Sequence, residues 1–89
     1  MILRVFIVED EEMIRKGLVH TMNWAGMGCL VVGSAADGRS GLSSILQKRP
    51  DVVITDIRMP EMDGLEMLER ALAVYSFRII LLTSYADFD

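Results

Sequence analysis

Cysteine is almost missing from this chain: Cys29 is the single one in 89 residues. No intrachain disulfide can form, and a reducing compartment fits best. Set among Gly28, Leu30, Val31 and Val32, it reads as a small buried hydrophobe. Basic charge is scarce as well. Nine Lys and Arg stand against thirteen Asp and Glu, a formal net charge of −4, which argues against direct binding of nucleic acid, where a basic footprint is needed. Long hydrophobic runs are also lacking, although 52% of the residues are hydrophobic. The apolar residues come in short runs broken by charges, none near the ~18 residues that suggest a membrane span. Met1 leads straight into a strand-like segment, with neither the basic region nor the small-residue cleavage site of a secretory leader. The expectation is an acidic, globular, cytoplasmic module forming one small domain over residues 1–89.

What is present alternates. Ile2 to Val8 is a nearly unbroken apolar run of strand length, the pattern of a strand buried on both faces of a parallel sheet. Glu9-Asp10-Glu11-Glu12 follows, then Met13, Ile14, Leu18 and Met22 at helical spacing. Leu30 to Ala35 reads as a second strand and Asp37-Gly38 as a turn. Leu42, Ile45 and Leu46 then form the inner face of a second helix. Pro50 stops that helix, and Asp51 to Thr55 forms a third strand. Asp56 to Gly64 is a loop containing Pro60. Asp63 is placed to cap a third helix with Leu65, Leu68 and Leu72 as its apolar face, and Glu66 and Arg70 are spaced to pair across one turn. Arg78 to Leu82 is a fourth strand. Met13, Met22 and Met67 are expected as core filler, Trp24 at a helix–strand junction, and His20 as a solvated or capping side chain.

Strands alternating with helices of this length imply βαβ units, hence an α/β fold with a doubly wound parallel sheet of four strands and about three helices. Ligands of such sheets bind beyond the carboxyl ends of the strands. There stand Glu9 and Asp10 after the first strand, Asp56 after the third and Thr83 after the fourth. If the first and third strands are neighbours, Glu9, Asp10 and Asp56 converge. Carboxylates crowded together raise one another's pKa unless a cation intervenes. Hard oxygen ligands with open positions suit Mg²⁺, and a carboxylate can accept a phosphoryl group as an acyl phosphate.

Three strings carry this further: Val8-Glu9-Asp10-Glu11-Glu12, Pro50 through Thr55-Asp56-Ile57-Arg58-Met59-Pro60 to Gly64, and Leu81-Leu82-Thr83-Ser84-Tyr85. Together they resemble the receiver domains of bacterial response regulators, over essentially the whole of Ile2 to Asp89. Met22-Asn23-Trp24 and Leu82 to Tyr85 look closest to receivers joined to AraC-type helix-turn-helix outputs. The resemblance implies a flavodoxin-like receiver fold with Asp56 as phosphoacceptor. It implies Mg²⁺ held by Asp10, by Glu9 largely through a water, by Asp56 and by the main-chain carbonyl of Arg58. Thr83 is then the hydroxyl that moves towards the phosphoryl group, with the small Ser84 leaving it room. The implied partners are a sensor histidine kinase and a DNA-binding output domain outside this chain. Complete receivers continue through a fourth helix, a fifth strand bearing a lysine and an aromatic residue, and a fifth helix. The 89 residues lack these, so a shortened receiver is expected.

Two other strand-end chemistries fit poorly. A haloacid-dehalogenase-type phosphatase needs a second acid two positions after the first, where this chain has Arg58. A flavodoxin-like cofactor binder needs a Ser/Thr/Gly phosphate loop after the first strand, and Glu9 to Glu12 would repel the phosphate. The remaining rival is a shortened receiver that serves only as an interaction or dimerisation module. Ile79 to Leu82, an apolar edge, makes a homo-oligomer the expectation, with Leu3 and Phe6 or their neighbours left uncovered on one sheet face.

Overall fold

A computed structural model of the chain describes residues 1–82. Thr83, Ser84 and Tyr85 lie outside the described residues. Four strands, β1 (Leu3–Val8), β2 (Cys29–Ala35), β3 (Val52–Asp56) and β4 (Arg78–Leu82), alternate with three helices, α1 (Glu12–Thr21), α2 (Gly38–Lys48) and α3 (Gly64–Leu72). All pairings are parallel, in the order β2-β1-β3-β4. The doubly wound expectation therefore holds, including the adjacency of the first and third strands. No helix among the described residues is long and apolar enough to cross a membrane.

The alternation of side chains along each strand splits the core in two. Phe6, Val8 and Val53 point to the face covered by α2 and α3, where Ile45, Met67, Leu68 and Ala71 close over them. Val5, Ile7, Val52 and Ile54 point to the other face, covered by α1 through Leu18 and Val19 and by Trp24 and Cys29 behind it. Trp24 sits at the helix–strand junction as expected, its indole Nε1 donating to the Leu18 carbonyl at 2.8 Å. Cys29 is half-buried. Phe6, expected near an uncovered face, is instead enclosed, because its side of the sheet has two helices.

Two other expectations need correction. Met13 is 89% exposed, and Met22 and Ile14 are also exposed. α1 turns Leu18 and Val19 to the sheet and leaves its first turn outside. In α3 the buried stripe is Gly64, Met67, Leu68 and Ala71, while Leu65 and Leu72 face outwards. Both stripes have helical spacing. The observed one wins because Gly41 of α2 makes room for the Met67 thioether: a Cβ at Gly41 would lie 2.8 Å from its sulfur.

Local signals set the helix ends. The Asp37 carboxylate accepts from Ser40 N and the Asp63 carboxylate from Glu66 N, both at 2.8 Å, which satisfies amides that α2 and α3 cannot pair internally. Glu66 and Arg70 pair at 2.9 Å. α2 ends with Arg49 at φ +49°, ahead of Pro50.

The first residue of α2 touches the loop that follows β3. A Cβ at Gly38 would stand 2.2 Å from the Met62 carbonyl oxygen, whereas one at Gly17, inside α1, meets nothing within 4 Å. Gly38→Ala should therefore lower stability by about 1–3 kcal/mol through forced displacement of backbone. Gly17→Ala should raise it by about 0.5–1 kcal/mol through helix propensity. Urea unfolding of the two variants beside the parent checks both signs; equal effects would contradict the close approach at Gly38.

Candidate functional site

The parallel register puts Val8 opposite Thr55, so β1 and β3 run out at the same height. Glu9 and Asp10 leave the end of β1, and Asp56 is the last residue of β3. A carboxylate oxygen from each of Glu9, Asp10 and Asp56 lies within 4.8 Å of the other two. Sequence reasoning brought these three together, and the fold does so. Arg58 follows two residues after Asp56 on the exposed part of the β3–α3 loop. Thr83, expected at the end of β4, lies outside the described residues.

The three acids sit in different surroundings. Asp10 is exposed, and Asp56 is half-buried. Glu9 is 2% exposed and tied down at three points. Its N–H donates to the Ala35 carbonyl at the end of β2 (3.1 Å), its carboxylate accepts from Glu11 N (2.9 Å), and its main-chain carbonyl accepts from Arg15 Nη1 (2.9 Å). Burial pushes the Glu9 carboxyl up from 4.5 to about 7. The Glu11 amide opposes that rise, and Asp10 and Asp56 add to it as a hydrogen-bonding and like-charged neighbourhood.

Asp56 is held by its backbone. The hydroxyl of the fully buried Thr55 donates to the Asp56 carbonyl at 2.9 Å. Gly64, at the start of α3, presses on the same carbonyl, since a Cβ there would stand 2.0 Å from it. Gly64 N closes the loop onto the Ile57 carbonyl at 2.8 Å, and Met59 and Met62 anchor the loop in the core. The side chain is less satisfied: Asp56 Oδ1 is buried and has no hydrogen-bond partner among the described residues. A buried carboxylate oxygen without a donor is costly. Hard oxygens from three carboxylates, one of them unpartnered, are the donor set that a divalent cation such as Mg²⁺ satisfies.

The family model for the response regulator receiver domain matches residues 5–89. The chain belongs to that family. Receiver domains are the signalling modules of two-component systems, in which they partner with histidine kinases. The receiver domain of AraT, a response regulator from Geobacillus stearothermophilus, is 35% identical with a TM-score of 0.90, over 99% of this chain and 69% of that one. A two-component transcriptional regulator AraC from Clostridium phytofermentans is 36% identical with a TM-score of 0.85, over 96% of this chain and 69% of that one. These likenesses carry both the flavodoxin-like receiver fold and the AraC-type kinship. Among curated relatives, the transcriptional regulatory protein HptR of Staphylococcus aureus is 40% identical over 97% of this receiver. The regulatory protein YesN of Bacillus subtilis is 33% identical over 97%. The chain spans 34% of the former and 24% of the latter.

Sequence reasoning did not single out Thr55, Gly64 or Arg15. For Arg15 a signal existed: helical side chains lean towards the helix N-terminus, so a basic residue in the second turn of α1 reaches back to the Glu9–Asp10 segment.

The raised Glu9 pKa sets a pH dependence for the metal-free receiver. Between pH 4.5 and about 7 the folded chain keeps a proton that the unfolded chain has released, so stability is full below this window and falls as pH rises through it. Subtracting thermal melts of Glu9→Gln from those of the parent in chelator isolates this contribution. The difference should grow more unfavourable to the parent towards pH 7; a flat difference would contradict the burial of an ionisable Glu9.

Proposed function

We propose that this receiver accepts a phosphoryl group on Asp56 from a sensor histidine kinase, in the cytoplasm, and thereby controls a transcription-regulating output domain. The observation that carries the reading is the buried Asp56 Oδ1, without a partner among the described residues, beside Glu9 and Asp10. In the step itself, an Asp56 carboxylate oxygen bonds to phosphorus as the bond from phosphorus to the donor breaks, its electron pair leaving with the donor. Thr55 and Gly64 keep the Asp56 backbone still during the attack. Glu9, Asp10, Asp56 and the Arg58 carbonyl would hold Mg²⁺. Once bound, the ion supplies positive charge against the phosphoryl oxygens. Thr83 would then supply the hydroxyl that senses the phosphoryl group. Residues 1–89 form one receiver unit in this reading, with a DNA-binding output outside it; relatives named as transcriptional regulatory proteins, of which the chain spans 24% and 34%, support this. With a small-molecule phosphodonor and Mg²⁺, Asp56→Asn should reduce phosphorylation to background, while Thr83→Ala should leave acceptance largely intact. A phosphorylated Asp56→Asn protein would refute the acceptor.

A second reading, in which the chain works mainly as an interaction module, is favoured by β4. It is an edge strand among the described residues, and Ile79, Ile80 and Leu81 are exposed along it. An apolar edge offers unpaired backbone groups to another chain. A dimer or larger assembly in sedimentation at micromolar concentration, with a concentration-dependent melt, is the expected result. A monodisperse monomer with a concentration-independent melt would exclude it.

A further inference from the structure

Arg15 spends its guanidinium on a main-chain carbonyl. Glu11 and Glu12 precede it one helical turn back, yet Nη1 donates at 2.9 Å to the carbonyl of Glu9, six residues back and outside the helix. That carbonyl belongs to the planar peptide that joins Glu9 to Asp10. Holding the oxygen fixes the tilt of the whole plane, and with it the direction in which the Asp10 side chain leaves the backbone. Asp10 needs such control. It lies past the end of β1 and is exposed, so the sheet ladder no longer dictates its conformation. Glu9, by contrast, is already tied to Ala35 and Glu11.

We infer that Arg15 is a positioning residue of the acidic cluster, holding the Glu9–Asp10 peptide so that both carboxylates stay turned towards Asp56. The inference rests on the reading of Glu9, Asp10 and Asp56 as a Mg²⁺ site and adds the residue that sets its shape. The physics gives a test by sign. A guanidinium hydrogen-bonded to the main chain between Glu9 and Asp10 repels an incoming cation, so by charge alone its removal tightens Mg²⁺ binding. As an orienting partner outside the ligand shell it does the reverse: removal lets the ligands swing, and such partners typically carry about tenfold or more in metal affinity.

The experiment titrates MgCl₂ alone into the full chain and follows the amide and carbonyl resonances of Glu9, Asp10 and Asp56. The parent is compared with Arg15→Met, which keeps an apolar stem, and with Arg15→Lys, which keeps a donor of the same charge. Arg15→Met should bind Mg²⁺ about tenfold more weakly, Arg15→Lys should recover most of that loss, and the metal-free melts should stay close to the parent. Binding by Arg15→Met as tight as the parent's or tighter, or no recovery in Arg15→Lys, would overturn the inference. Should Arg15→Met not fold, Arg15→Ala, with its higher helix propensity, is read by the same sign. A parent that shows no shifts at the three acids would overturn the cation site itself, and this inference with it.

Discussion

β1 is hydrogen-bonded along both edges, to β2 on one side and β3 on the other, and both of its faces are buried. A strand so enclosed must satisfy every backbone group through the ladder and can present only apolar side chains. Val5 to Val8 obey this without exception. The first charged residue beyond this buried run is Glu9, and β3, whose buried Thr55 donates its hydroxyl to the Asp56 carbonyl, has its equivalent at Asp56. Because the register aligns the two run-outs, the carboxylates meet. The cluster of acids follows from where two apolar runs stop, and below about pH 7 the repulsion it entails is eased by the proton that burial favours on Glu9.

That origin explains how much could be read beforehand. Continuous apolar runs made the strands plain to within a residue or so at their ends, and the acids were legible because they abut those runs. The adjacency of β1 and β3 was a supposition that the pairing bears out. Helix faces were less legible, since two stripes of similar spacing compete in α3 and the choice depends on a glycine in a different helix. Met13 was misjudged for a related reason: α1 docks on its face through Leu18 and Val19 in its second half. Arg15 was legible only as a basic side chain leaning back along α1; its acceptor is a carbonyl, a group every residue carries, so no residue type marks the partner.

The helix ends show a division of labour. α2 and α3 begin with aspartates whose side chains cap them. Glu11, at the corresponding place in α1, caps nothing with its side chain, and the amide of Glu11 is taken up by Glu9 instead. The residue that closes the start of α1 is thus also a member of the acidic cluster. Rearrangement of the cluster is felt at the helix through a single hydrogen bond, reinforced from the second turn by Arg15.

The central position of β1 also orders events in time. Val5 pairs with Val52, so the middle of the sheet cannot close until a long intervening stretch of chain has been made. During synthesis β1, α1 and β2 can associate early as one βαβ unit, but Phe6 and Val8 stay uncovered until β3 and the helices beside it emerge from the ribosome. Closing so distant a contact is entropically demanding and slow relative to local helix formation. The nascent chain therefore passes through an interval in which the strand destined to be the most enclosed is the one most open to misassociation.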